Sequence, residues 1–247
     1  MFRPLAAACA VALPLSAAAQ ERPQWRVELE AGGAFQSRNE VRVPGRGGTD
    51  FDMNRLQGDP VLPLVRATLG WDPWERHGFR LTYQYLRGEG TGTLPGPTAF
   101  ANAAYAPGVA TTGNYRFDTW RLTYRYAFWQ TEALTMRIGV TGLIRDAEIR
   151  LRQAGVTSRK SDVGFVPLLH ASFDWRFAPA WTLIGEIDAL GASQGRAIDA
   201  GLRVARDIAP RWQASLGWRV LDGGVDNDDV RNFARFHSVT AGLSYRF

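Results

Sequence analysis

Apolar and polar side chains alternate with a period of two through most of the chain. Across Trp120–Phe128 the residues Trp120, Leu122, Tyr124, Tyr126 and Phe128 share one face, and Arg121, Thr123 and Arg125 share the other. Between Gly78 and Leu86, Phe79, Leu81, Tyr83 and Tyr85 oppose Arg80, Thr82 and Gln84. The same rhythm returns over Trp25–Phe35, Leu64–Trp71, Met136–Ile144, Phe165–Phe177, Trp181–Ala189, Ile198–Val204, Trp212–Val220 and His237–Phe247. Period two belongs to strands with one apolar face, because successive side chains point to opposite sides of a sheet. The segments approach the roughly 9–11 residues with which a tilted strand crosses a bilayer.

The connections between these ten segments alternate in length. Short ones, "DPWERH", "WQTEA", "FAPA" and "DIAPR", take turns with longer ones at 38–60, 88–114, 153–161 and 222–235, and a shorter one at 190–196. Trp25, Trp71, Trp74, Trp129, Trp175, Trp181 and Trp212 all fall at or beside the strand ends on the short-connection side, seven of the nine tryptophans. Indole favours a membrane interface, where its ring is buried and its N–H stays wet. A soluble sandwich would bury its tryptophans between sheets and would not sort them by strand end. The pattern therefore predicts an all-β chain: a transmembrane antiparallel up-and-down β-barrel of about ten strands, with short periplasmic turns and long outer connections. An even strand number puts both ends of the chain on the short-turn side.

The ends of the sequence agree. "MFRPLAAACAVALPLSAAAQ" carries Arg3, a short apolar run and small residues at Ala17 and Ala19, which predicts a signal peptide over 1–19 and a barrel domain over 20–247. The single cysteine, Cys9, falls in that leader, so no disulfide staples the exported chain. At the other end, "AGLSYRF" puts Leu243, Tyr245 and Phe247 on one face of a closing strand. With the leader and the alternating strands, this ending resembles that of bacterial outer-membrane β-barrel proteins. The resemblance implies that Leu243, Tyr245 and Phe247 form the signal read by the barrel-assembly machinery, and that the lasting surroundings are outer-membrane lipids and lipopolysaccharide.

Charge refines the interior. The net charge is +5, yet Lys160 is the only lysine and the arginines are spread along the chain, which excludes a nucleic-acid partner. By strand parity the lumen receives Arg26, Glu28, Glu30, Arg66, Arg80, Arg121, Arg125, Arg137, Arg145, His170, Asp174, Arg176, Glu186, Asp188, Asp199, Arg203, Arg219 and Arg246. That is eleven arginines against six acids. Counting up from the turns sets Glu30 level with Arg66, Arg137 with Asp174, Glu186 with Arg203, and Asp199 with Arg219. A ten-stranded barrel is little wider than the eight-stranded kind that side chains fill, so the lumen is expected to be plugged by arginine. The expected role is structural or surface interaction, with a narrow, porin-like, anion-preferring channel as the alternative.

Candidate chemistry is sparse. "HASFDW" sets His170 and Ser172 on one face, with Glu186 and Asp188 on the same face of the next segment, a set that supplies nucleophile, base and orienter. It is similar to the arrangement of the outer-membrane lipid A deacylases and gives a second alternative, a lipid-modifying hydrolase. That resemblance implies a site facing lipid, whereas parity sets His170 inside. The strand count also resembles that of the omptin proteases, for which paired Asp-x-Asp and Asp-x-His motifs are implied; the chain has Glu186-x-Asp188 and no Asp-x-His. Asp226, Asp228 and Asp229 in "DGGVDNDDV" offer oxygen ligands for calcium but miss the EF-hand spacing, and such residues are also ordinary turn formers. "GRGG" near residue 46 has neither the preceding strand nor the following helix of a phosphate loop, so no cofactor is expected.

Overall fold

A computed structural model describes residues 24–193 and 195–247. The expected leader, 1–19, lies outside the described residues.

Ten strands form the wall: β1 (Gln24–Arg42), β3 (Val61–Trp74), β4 (His77–Thr93), β7 (Ala110–Gln130), β8 (Leu134–Gln153), β9 (Val156–Ala178), β10 (Trp181–Ala192), β11 (Gly195–Ala209), β12 (Trp212–Asp226) and β13 (Arg231–Arg246). Between them lie β2 (Phe51–Asp52), α1 (Met53–Gln57), β5 (Thr98–Phe100) and β6 (Ala103–Tyr105). Each wall strand pairs antiparallel with its neighbours in chain order, and β13 returns to β1, so the sheet closes without an edge. At the seam Trp25 and Phe247 exchange both backbone hydrogen bonds, at 3.1 and 3.0 Å.

The outer face carries the apolar half of the alternation, including Leu29, Leu122, Ile138, Val140, Phe165, Leu169, Leu216 and Val239, all exposed. The seven tryptophans named above gather at the short-turn end. Stacked pairs run from Trp25 to Trp71 (5.5 Å) and from Trp71 to Phe79 (5.7 Å), forming part of an aromatic girdle. Trp212, Tyr245 and Phe247 continue it across the seam.

The strands outrun the expected membrane span, and several connections read as long loops are not loops. Residues 153–161 contain only a two-residue turn, Ala154 and Gly155, both at positive φ (45° and 86°). Such a turn matches the twist of the flanking strands and lets them continue as a hairpin. Much of 88–114 and 222–235 is strand as well. Above the apolar belt the outer wall bears ion pairs, Arg87–Asp118 (2.5 Å), Arg116–Asp146 (2.8 Å) and Arg235–Asp222 (2.8 Å), where water replaces lipid.

The remaining outer connections turn inward. Asp52 caps α1 by accepting from the Asn54 and Arg55 amides, and Gly58, at φ 78°, ends it. The helix lies against the inner wall, where Gly90, Gly92 and Gly113 leave room: a Cβ at Gly90 or Gly92 would meet the backbone of Gln57 or Leu56, and one at Gly113 would meet Met53. Met53 and Leu56 join Leu62, Leu64, Leu86, Leu151 and Phe236 from the wall and Phe100 and Tyr105 from the β5–β6 hairpin. The Tyr105 hydroxyl anchors that hairpin, donating to the Leu151 carbonyl at 3.2 Å and pairing with Ser158 Oγ at 2.7 Å. A bulge between Gln36 and Arg38 changes the parity of β1, turning Asn39, Val41 and Val43 inward. The upper lumen is thus an apolar core rather than more arginine.

Within that core the Gln57 amide donates to the carbonyls of Gly88 and Gly113, both at 3.1 Å, and accepts from Gln36 at 2.9 Å. The helix is therefore keyed to three wall strands. Leu56→Ala, which opens a cavity in this core, is expected to destabilise the barrel by about 2–5 kcal/mol, read as a lowered urea midpoint in lipid vesicles. An unchanged midpoint would show that the helix does not pack in the mouth.

Candidate functional site

Below the apolar core the lumen is crossed by charge. Arg66 lies 3.2 Å from Glu30 and 3.5 Å from Asp199, and donates to Gln84 at 2.8 Å. Arg203 bridges Glu28 (2.7 Å) and Glu30 (3.1 Å), and Arg80 meets Glu186 at 2.6 Å. Arg219 joins Asp199 (2.5 Å) to Glu186, and Arg121 joins Asp199 to Asp188. Side-chain exposure falls to 1% at Asp199 and 2% at Arg121, so these ions have exchanged water for each other. Five arginines meet five carboxylates, so this level of the lumen carries no surplus charge.

Of the four pairs expected from strand counting, Glu30–Arg66, Arg137–Asp174 (2.8 Å) and Asp199–Arg219 are ion pairs. Glu186–Arg203 is not: Arg203 faces Glu28 and Glu30, because the stagger sets Arg203 level with Ile184 instead of Glu186. The expected surplus of five positive charges also shrinks. Arg125 pairs with Asp72 at 3.0 Å and half-buried Arg145 with Asp162 at 2.6 Å. Asp72 lies in the short connection "DPWERH" and Asp162 between the connection 153–161 and the alternating segment from Phe165, so strand parity counts neither. Of the eleven arginines set in the lumen by parity, those without an ion pair among the described residues, Arg26, Arg176 and Arg246, all border the short-turn mouth. Chambers of about 1080 Å³ and 170 Å³ open there; Arg26 lines both, Arg137 the first, and Arg176 and Arg246 the second.

His170, Ser172 and Asp188 come together on the lumen face. The register sets His170 directly opposite Asp188. His170 Nδ1 lies 2.8 Å from Asp188 Oδ1, and Nε2 lies 3.1 Å from Ser172 Oγ. Glu186, named beside them in the sequence, stands opposite Ser172 in the register, but its carboxylate goes to Arg80 and Arg219. Asp188 is therefore the carboxylate of the set. Ser172 lines a small cavity of about 20 Å³ with Arg26, Arg80, Arg125 and Arg203 and with the acids Glu28, Asp174 and Glu186.

In the acidic outer turn two of the three carboxylates face arginine. Asp228 pairs with Arg46 at 2.8 Å and Asp226 with Arg231 at 3.5 Å, and the Asp229 amide donates to Asn227 in the turn. Among the described residues no group of three metal-ligating side chains converges. Leu243 and Phe247 point outward, exposed, and Tyr245 stacks on Phe247 at 5.9 Å.

Removing one partner from the buried network strands its counter-ions. Glu186→Ala leaves Arg80 and Arg219 each short of a partner and is expected to cost about 3–5 kcal/mol. Asp228→Ala breaks an exposed pair and is expected to cost under about 1 kcal/mol. Urea unfolding of the two variants in lipid vesicles compares them; equal midpoints would mean that water screens the lumen.

No protein-family model matches the chain, and no curated protein sequence matches it. Solved structures do. The outer membrane protease OmpT from Escherichia coli aligns at 10% identity over 93% of this chain and 98% of its own, with a TM-score of 0.52. The neisserial surface protein NspA aligns at 13% identity over 90% and 97%, with a TM-score of 0.39. At such identities the likeness to OmpT speaks for the fold alone, and it agrees with a closed wall of ten antiparallel strands, apolar outside and charged within. The chain has the fold of the bacterial outer-membrane β-barrels.

Proposed function

We propose that the protein resides in the bacterial outer membrane as a closed barrel with a structural or surface-interaction role. The observation that carries this reading is the double closure of the lumen. An interlocked layer of arginines and carboxylates lies beneath an apolar core built on α1 and the β5–β6 hairpin. A passage would have to break buried ion pairs and then wet an apolar plug, and both steps are unfavourable. The alternative of a narrow anion-preferring channel draws only on the three free arginines of the mouth.

Outer-membrane lipids and lipopolysaccharide fit the outer wall. Its apolar belt suits acyl chains, and arginines above the belt, such as Arg87, Arg116 and Arg235, suit phosphate-bearing headgroups. The outward Leu243, Tyr245 and Phe247 suit recognition of the closing strand by the assembly machinery, since an unpaired strand is read by edge pairing and alternate pockets.

In a planar bilayer the purified barrel is expected to give no steady conductance; a large, stable, anion-selective current would favour the channel and overturn the closed reading. Orientation is tested on intact cells with a membrane-impermeant maleimide. Cysteines at Pro107→Cys or Asp229→Cys should label, and those at Glu75→Cys or Pro179→Cys should not. The reverse pattern would invert the barrel.

A further inference from the structure

Ser172, His170 and Asp188 stand in series at the lower edge of the charged layer. We infer that they form a nucleophile, a general base and its orienter, and that they hydrolyse small anionic esters entering from the short-turn mouth.

The bonding fixes the direction of the relay. An ionised Asp188 has no proton to give, so the 2.8 Å bond requires the proton on His170 Nδ1. In the neutral ring Nε2 then holds the lone pair and accepts the Ser172 hydroxyl 3.1 Å away. This is the tautomer a base needs in order to take a proton from serine. Asp188 is itself held: the Thr141 hydroxyl donates to Oδ1 at 2.8 Å, and Arg121 Nη1 donates to Oδ2 at 3.4 Å. Thr141 in turn pairs with Thr123 at 2.8 Å. His170 is 5% exposed and cannot swing away.

The surroundings of Ser172 suit acyl transfer. Its cavity has room for about one water molecule, and Arg26, Arg80, Arg125 and Arg203 line it together with Glu28, Asp174 and Glu186. Arg80, Arg125 and Arg203 are each paired to a carboxylate, so Arg26 is the lining arginine left to stabilise the oxyanion that forms there. Arg26 lines this cavity and both mouth chambers, so one side chain without a carboxylate partner stands between Ser172 and the mouth. With Arg176 and Arg246 it faces Glu132 and the Arg137-paired Asp174, three arginines against two acids, so a small positive excess at the entrance favours anions. The substrate class is therefore an ester bearing a carboxylate or phosphate group. The apolar core lies above the relay, so closure of the outer half does not obstruct it.

In the reaction Ser172 Oγ adds to the carbonyl carbon as its proton passes to His170 Nε2. The bond from that carbon to the leaving oxygen breaks, and the same proton passes to the departing alkoxide. Water from the chamber then adds to the acyl-serine by the same proton path, releasing the carboxylic acid and restoring Ser172. The balance is ester plus water to acid plus alcohol, with no redox partner.

The test treats the purified, folded barrel with a fluorophosphonate probe, which bonds covalently to activated serines and releases fluoride. One adduct mapping to Ser172 is expected, with none in S172A and labelling slowed by about 100-fold or more in H170A. Access is checked in S172C, since Cys9 of the expected leader is the only natural cysteine; a small anionic thiosulfonate should modify it. A barrel of heat-modifiable mobility that takes no adduct overturns the inference, and so does an adduct that persists in S172A. An unreactive S172C overturns it too, because Ser172 would then lie beyond reach of the mouth.

Discussion

Every backbone N–H and C=O inside a bilayer must find its partner within the protein, and this constraint organises the whole molecule. The chain meets it by returning β13 to β1, with Trp25 and Phe247 exchanging hydrogen bonds at the seam. Once the wall is closed, every strand has one face to lipid and one to the lumen. Leu122 and Arg121 are adjacent in sequence yet lie in opposite solvents, one exposed on the apolar outer face and one almost wholly buried inside.

A charge placed inside such a wall is stable only beside its opposite. The middle of the lumen satisfies this by reciprocity: Asp199 serves Arg66, Arg121 and Arg219, while Glu186 serves Arg66, Arg80 and Arg219. Each ion is held by strands from several parts of the chain, so the network resists local opening. Among the lumen arginines of the described residues, those without a carboxylate, Arg26, Arg176 and Arg246, border the short-turn mouth. The interior thus grades from a wet cationic entrance, through a neutral ionic layer, to a dry apolar cap. The Ser172–His170–Asp188 relay stands where the first zone meets the second, so its serine borders a water-sized cavity that shares Arg26 with the mouth while its base and carboxylate are locked in the network.

The apolar cap follows from different physics. Beyond the bilayer the strands continue, and water bathes both the outer wall and the mouth. Outward positions turn to ion pairs such as Arg87–Asp118, and inward positions become apolar, as in an ordinary soluble core. The connections that a porin would leave open are here folded into that core, with the Gln57 amide meeting wall carbonyls that the helix would otherwise cover.

The sequence by itself determined the wall. Ten alternating stretches, the sorted tryptophans and the unequal connections were enough for strand count, order and facing, because period two leaves a direct record of which side each residue takes. It also brought His170, Ser172 and Asp188 to one face, since adjacent strands share a pleat. Tertiary structure decided what lies across the lumen, because partners there are set by stagger and by long-range closure. Parity could not tell whether Arg203 would meet Glu186 or Glu28, nor that Asp72 and Asp162 would neutralise Arg125 and Arg145. The alternate glycines 88, 90 and 92 are visible as "GEGTGT" in a stretch whose composition suits a loop, but Gly90 and Gly92 make room for α1 and Gly88 for Leu62. A missing side chain records only that something comes close; what comes close is fixed when the wall has closed and the connections have a mouth to fill.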